Sequence, residues 1–598
     1  MKSSILRSVT VALVASTTLS VGLTGCGGGG GGGGFDDAGA STAKPTPPQI
    51  RKTQFGQIEG VTSADGATAV WLGVPFAEPP VGTLRWQPPQ DPTPWRGVKP
   101  TRDYAEACTQ IGGIFSPPPR GKDYSAITDN FYKPMGSEDC LYLNIWAPTG
   151  ARGDRAKLPV IVYIHGGSNV VGGATDPLTA GGNLAKSANA VVVTVAYRLG
   201  MMGWFAHPAF DTGDAVRDSG NFAVLDLIQS LKFVKNNIEN FGGDPDNVTI
   251  MGQSAGSTNV NALIVSPMAA GLFHKAVSLS GGIGGSSKTA AVNKSNAIIN
   301  AMLIKDGLAS DKASADAYRM GQSNEWIRNY LMTKSAAELY GLQVDPTGGK
   351  FGTGSRTFEP GSTTATLWGT VAPISDGTVM PANSAGAVRA GTFNKVPILV
   401  GNTAEEGKLF SAAFKIDDYT RVRWMNETFL GTISGLRFQD IIDGTIISPL
   451  TVENYNIYAQ NNANRVVPGP SITTATFWAL SDSSSTAYYG QVPLYAYNFR
   501  WKQQPAPWND VYGAWHAGDL SFIFGNFGVN LNSFGYSKAN EPGRLALTSL
   551  MQQSVSAFIR TGNPNNSALG ATWDQWTPTA PVRMQFDATL EQASATQQ

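Results

Sequence analysis

The sequence predicts an α/β protein: a central, mostly parallel twisted sheet flanked by helices, with large helical or irregular insertions. Three observations carry this. From about residue 140, short apolar runs alternate with stretches of helical periodicity, the pattern of strand–helix units that place helices on both faces of a sheet. Two of the runs, Leu158 to Ile164 and Ala190 to Tyr197, are apolar and β-branched, as in strands buried on both faces. The composition, with 69 Gly, 36 Pro, 14 Trp and 18 Tyr in 598 residues, fits a loop-rich globular protein better than a helical bundle.

The balance of charge narrows the class further. Apolar residues make up 42% and charged residues 15%, enough for a large core and too apolar for disorder. Lys+Arg and Asp+Glu are both 44, so the basic excess of a nucleic-acid binder is missing.

The N-terminus reads as a targeting segment. Lys2 and Arg7 precede an apolar stretch over residues 8–23, followed by Leu23-Thr24-Gly25-Cys26. Leu at −3 and Gly at −1 match a bacterial lipobox, so residues 1–25 are expected to be a lipoprotein signal peptide and Cys26 the lipidated residue. The alternative is an ordinary secretory signal with a chance cysteine. Gly27, in place of Asp, permits export to the outer membrane by resemblance to Gram-negative lipoproteins. The eight glycines 27–34 and the Ser/Thr/Pro stretch to Pro48 lack the context of a phosphate loop. Residues 26–50 are expected to be a tether of roughly 25–30 Å. No other segment has 18 consecutive apolar residues, so contact with the membrane is expected only through the lipid. The folded domain is placed at residues 51–590.

Within that domain, residues 50–90 read as short strands and turns. Residues 222–240 carry helical periodicity through Phe222, Leu225, Leu231, Val234 and Ile238, Asn247 to Met251 reads as a strand, and Ser257 to Val265 as a helix. Residues 285–345 and 411–490 read as insertions. Val396 to Val400 and Leu494 to Phe499 read as late strands.

Chemistry enters with Gly252-Gln253-Ser254-Ala255-Gly256. The five-residue pattern is weak alone, but here it lies between a strand and a helix, as a nucleophile elbow requires. Ser254 is the candidate nucleophile, and the N–H of Ala255 opens a helix, where it faces developing negative charge. A serine needs a base. Of four histidines, His165, His207 and His274 read as structural; only His516 comes late enough for the order serine, acid, histidine. The acid should follow a strand between them. Glu406 in Ala404-Glu405-Glu406-Gly407 is favoured, with Glu405, Asp376 and Asp519 as rivals. His165-Gly166-Gly167-Ser168 follows a strand, and the N–H groups of Gly167 and Ser168 would join that of Ala255 in a three-donor oxyanion hole. Losing one such donor typically costs about 3 kcal/mol of transition-state stabilisation. With Cys26 assigned to the lipobox, Cys108 and Cys140 remain as a possible pair, and two cysteines with few histidines make a zinc site implausible.

Several longer motifs now stand in order: Gly73-Val74-Pro75-Phe76-Ala77, Ser137-Glu138-Asp139-Cys140-Leu141-Tyr142-Leu143-Asn144, Tyr197-Arg198-Leu199-Gly200, Asn240-Phe241-Gly242-Gly243-Asp244-Pro245, Gly252 to Gly256, and Thr561-Gly562-Asn563-Pro564. On these the chain resembles the type-B carboxylesterases, the cholinesterase-like branch of the α/β-hydrolase fold, from about residue 53 to 580. The resemblance implies a Cys108–Cys140 disulfide, Glu406 as the acid, Ser280 as the serine that steadies it, and structural ion pairs at Glu138 and Arg198. It implies a serine carboxylesterase working through an acyl-enzyme, with neither metal nor organic cofactor, on small-molecule or oligomeric esters and not on nucleic acid.

The chain departs from the cholinesterase pattern at Gln253, where those relatives place Glu, and at Asn130, where they place a Trp that holds a quaternary ammonium; Phe131 and Tyr132 stand beside Asn130. Ser168 replaces a Gly or Ala without changing the N–H. Neutral, hydrophobic or aromatic esters are therefore expected. Two rivals use the same fold: a non-catalytic adhesion module, which typically lacks the serine or histidine, and an amidase or transacylase.

Overall fold

A computed structural model describes residues 49–598 apart from 152–155, 284, 343–371, 412, 467–491 and 578. The signal peptide, Cys26 and the glycine run lie outside the described residues.

The core is one 13-stranded sheet. Its main strands, in chain order, are β1 (Gln49–Thr53), β2 (Gly56–Thr62), β3 (Thr68–Pro75), β4 (Tyr142–Pro148), β5 (Leu158–Ile164), β6 (Val191–Val195), β7 (Gly243–Gln253), β8 (Lys275–Leu279), β9 (Ile398–Thr403), β10 (Leu494–Phe499), β11 (Met584–Ala588) and β12 (Ala593–Gln597). They lie side by side in the order β1-β2-β3-β4-β6-β5-β7-β8-β9-β10-β11-β12, and a short strand, Val98–Pro100, pairs with β2. The stretch from β6 to β11 is parallel throughout; the strands outside it pair antiparallel, apart from Val98–Pro100, which runs parallel to β2.

The period of two in the strands builds two cores. Val160, Val162 and Ile164 of β5 face one way, with Val191, Val193 and Val195 of β6, and pack with Leu227 and Leu231 of helix Phe222–Asn237 and Leu263 of helix Ala255–Val265. Ile161, Tyr163 and Val192 face the other way, with Leu184 of helix Gly182–Ala188 and Leu547, Met551 and Phe558 of helix Glu541–Thr561. Strands with both faces covered need apolar residues at every position, which is why β5 and β6 were visible as unbroken runs.

The domain is wider than residues 51–590. β1 begins at Gln49, and β12 pairs with β11 as far as Gln597. β12 alternates intermediate and exposed residues, so as an edge strand it reads like a polar tail. The insertions are helical where described: Lys288–Lys305, Lys312–Met320, Asn324–Met332 and Ala336–Gly341 in the first, Asp418–Leu430, Phe438–Ile441 and Val452–Val466 in the second. Cys108 and Cys140 form a disulfide. Glu138 and Arg198 each sit in an ion pair, with Arg85 and Asp226 respectively. Among the described residues no helix is long and apolar enough to cross a membrane.

Candidate active site

Four neighbouring parallel strands end together. The register matches Gln253 of β7 with Leu279 of β8, Leu279 with Gly401 of β9, and Thr403 with Phe499 of β10. The residues that leave these carboxyl ends make the site.

Ser254 leaves β7. Its φ of 57° and ψ of −124° put a non-glycine residue in a strained turn between the strand and helix Ala255–Val265, a conformation costing on the order of 1–3 kcal/mol. Its N–H is held by Leu279 O at 2.8 Å. The flanking glycines are required by space. A Cβ on Gly252 would lie 2.3 Å from Gly256 O, and one on Gly256 would lie 2.1 Å from Ile164 O.

The loop expected to supply the oxyanion hole, His165 to Ser168, follows β5 and lies against the serine. A Cβ on Gly166 would lie 3.1 Å from Ser254 Cβ, and Gly167, at φ 103°, would clash with Val171 O. Among the described residues none accepts a hydrogen bond from the N–H of Gly167, Ser168 or Ala255. These donors remain available to an oxygen placed beside Ser254.

Ser280 leaves β8 and Glu406 follows β9. The Glu406 carboxyl is buried. One oxygen accepts from Ser280 Oγ at 2.6 Å and from the Thr403 N–H at 2.8 Å; the other accepts a short hydrogen bond from His516 Nδ1–H. Burial pushes this carboxyl up, but the facing imidazole and these donors outweigh it and hold the group below the ordinary glutamate range.

His516 lies in the loop after β10 and is also buried. Its Nε2 is 3.0 Å from Gln253 Nε2, and the Phe410 ring sits 4.9 Å from the imidazole, centre to centre. Phe410 was not anticipated. It follows Glu406 by four residues, through a single turn of 3₁₀ helix at Glu406–Lys408, and that spacing is the signal that could have found it.

The rivals for the acid have other partners. Glu405 bonds Ala514. Asp376 gathers the N–H groups of Thr378, Val379 and Met380 and the Asn221 amide. Asp519 accepts from Tyr497 OH at 2.6 Å.

The other histidines are taken up by the fold. His165 stacks on Tyr197, and burial lowers it to about 4. His207 accepts from the Ala209 N–H, and burial brings it to about 4 as well. His274 accepts from the Val248 N–H. Phe131, Tyr132 and Tyr419 form an aromatic group, with Tyr132 OH on Asp418 Oδ2 at 3.0 Å. Among the described residues no group of three or more His, Cys, Asp or Glu is disposed to hold a metal.

A serine on a strained strand-to-helix turn, preceded by a glutamine whose amide meets an imidazole backed by a buried glutamate, at the carboxyl edge of a parallel sheet, is the arrangement of a serine hydrolase of the α/β-hydrolase fold. The chain belongs to the carboxylesterase family, whose model matches residues 47–598. It is 30% identical to the para-nitrobenzyl esterase of Bacillus subtilis (strain 168) over 525 residues, 87% of this chain and 91% of that one. It is 31% identical to carboxylesterase 1C of Rattus norvegicus over 559 residues, 92% and 91% of the two chains. Among solved structures, a PNB esterase superposes with a TM-score of 0.66 at 26% identity, covering 92% of this chain and 97% of that chain. The protein is a carboxylic ester hydrolase.

Proposed function

We propose that this carboxylesterase is exported, tethered to the cell envelope through a lipid on Cys26, and hydrolyses neutral hydrophobic or aromatic esters, with Ser254, Glu406 and His516 as its catalytic triad. The single observation that carries the substrate reading is the contact of Gln253 with His516. The group next to the base is an uncharged amide, 4% exposed. A unit charge about 5 Å away, at an effective dielectric near 20, is worth about 3 kcal/mol. Without it a cationic substrate loses hydration and gains only aromatic contacts of roughly 0.5–2 kcal/mol.

The proposed chemistry runs through an acyl-enzyme. The Ser254 proton passes to His516 Nε2 as Oγ attacks the ester carbonyl carbon. The N–H groups of Gly167, Ser168 and Ala255 hold the resulting oxyanion. Glu406 fixes the proton on Nδ1 and stabilises the imidazolium. His516 returns its proton to the leaving alcohol as the carbon–oxygen bond breaks, and water repeats the sequence on the acyl-enzyme. Gln253 must give up Nε2 before the serine proton can arrive there.

The test of substrate class compares butyrylcholine with its uncharged 3,3-dimethylbutyl analogue. Equal or higher kcat/KM is expected for the neutral ester; a tenfold preference for the choline ester would overturn the reading. Ser254→Ala should abolish turnover, and residual activity within tenfold of wild type would remove the nucleophile assignment. Matched amides should turn over far more slowly than esters. Cys26→Ser should move the protein from the membrane to the soluble fraction with turnover unchanged; retention after a salt wash would argue against the lipid.

A further inference from the structure

Glu405 stands directly before Glu406 on the turn after β9, yet its side chain goes elsewhere. Its Oε2 accepts the Ala514 N–H at 2.8 Å, and its own N–H donates to Ala514 O at 2.9 Å. One residue thus holds both polar backbone groups of Ala514, two positions before His516. Lys408 completes the arrangement. Its Nζ lies 2.7 Å from Glu405 Oε1 and donates to Asp510 O at 3.1 Å, tying a second point of the same loop. The lysine side chain is only 4% exposed, and a buried ammonium needs such a partner.

The loop is shaped to receive this carboxylate. Gly513 has φ +54°, and a Cβ there would fall 1.9 Å from Glu405 Oε2. Gln504 Nε2 holds Gly513 O at 2.9 Å. On the far side, Asn532 accepts from the Trp515 indole and donates to Ala517 O. The histidine loop is therefore clasped from two sides, and the clasp on one side is the turn that also carries Glu406.

We infer that Glu405 and Lys408 are a positioning pair for His516: they lock the loop bearing the base to the turn bearing the acid. The acid–base contact is then set within one local unit. This rests on His516 being the base. A misplacement of about 1 Å at reacting groups can cost on the order of 10²-fold in rate, so a clasp of this kind has kinetic consequences.

The experiment uses the full chain and three variants, with kcat referred to sites titrated by a phosphonate. Glu405→Asp keeps the charge beside Lys408 but is one methylene too short for the Ala514 N–H. The double change Glu405→Gln with Lys408→Met removes both charges and keeps an acceptor for Ala514. His516→Ala tests the underlying assignment. Glu405→Asp is expected to lower kcat at least about tenfold with KM changed less than threefold, and to shift the low-field Nδ1 proton resonance of His516. The double variant keeps the Ala514 acceptor but loses the Lys408 tie to Asp510 O, so its kcat should fall between wild type and Glu405→Asp. The inference is overturned if Glu405→Asp stays within threefold of wild type, or if the double variant keeps wild-type kcat. Turnover surviving in His516→Ala would instead overturn the assignment of the base.

Discussion

Gln253 Nε2 lies 3.0 Å from His516 Nε2. The amide can only donate from that atom, so the imidazole nitrogen facing it is the unprotonated one and its proton sits on Nδ1, against Glu406. The residue before Ser254 thus reads out the tautomer that His516 needs in its proposed role as general base. Replacing Gln253 by Glu puts a carboxylate in this position. It should raise the preference for a cationic over an isosteric neutral ester by roughly tenfold or more. The measurement is the ratio of kcat/KM for butyrylcholine and the 3,3-dimethylbutyl ester at pH 8. An unchanged ratio would mean that the alcohol portion does not approach this side chain.

Glu406→Gln should lower kcat on the order of 10³–10⁴-fold, because the amide no longer fixes the imidazole tautomer or its charge. Asp519→Asn should stay within about tenfold of wild type, since its contact is with Tyr497. Steady-state kinetics on a p-nitrophenyl ester decides. The assignment fails if the Asp519 variant is the crippled one.

Asp519 should instead govern stability against pH. Burial raises its carboxyl from 3.8 to about 6; the Tyr497 hydroxyl opposes this, and the neighbouring Glu406 adds to it. A carboxyl raised on folding favours the native state most when protonated. That contribution is complete below about pH 4 and is lost as pH climbs through about 6. Relative to wild type, Asp519→Asn should therefore gain about 2–3 kcal/mol between pH 4 and pH 7.5. Urea unfolding at the two pH values measures it; a constant difference would contradict the assignment.

Ser280→Ala removes one of two hydrogen bonds to Glu406 Oε1. Loss of a bond to a buried charged acceptor is worth roughly 1.5–3 kcal/mol. The variant should lose activity by roughly one to two orders of magnitude, less than Glu406→Gln. Activity at wild-type level would show that the Thr403 N–H suffices to hold the acid.

Reducing the Cys108–Cys140 bridge should destabilise the domain by roughly 3–4 kcal/mol through the freed loop. Thermal unfolding with and without reductant, in the Cys26→Ser background, reads this directly. Identical melting would mean that the bridge contributes nothing.

Legibility in the sequence followed burial and locality. β5 and β10 coincide with apolar runs bounded by polar or turn residues, and their limits matched. β9 was expected over residues 396–400 but runs from Ile398 to Thr403; Asn402 and Thr403 look like turn residues, yet neighbouring β10 buries them. β7 starts at Gly243, four residues before the expected Asn247, because Asp244-Pro245-Asp246 is polar and partly exposed while still continuing the strand. The helix after the elbow begins at Ala255, two residues before the expected Ser257. At the site, local motifs marked Ser254 and the glycine loop. Glu405 and Glu406 share a residue type and a turn; the family resemblance favoured Glu406, and in the structure its partner 110 positions away separates the two. The Gln253–His516 contact spans 263 positions and has no local signature at all.

The edge at which β7, β8, β9 and β10 end together has a consequence for remodelling this protein. Ser254, Ser280, Glu406 and His516 each hang from their own strand, and adjacent strands are zipped to one another regardless of how much chain runs between them. The long excursions between β8 and β9, and between β9 and β10, leave the sheet and come back to it next door. Beyond the turns that carry Ser280 and Glu406, neither excursion bears one of these four residues, although the second ties to the histidine loop through Tyr455 on Val511 O and Thr428 on Trp508. Swapping the first for that of another carboxylesterase, with Ser280 and the turns Gly401–Phe410 and Gly513–Asp519 left in place, should shift ester preference while the reacting groups keep their spacing.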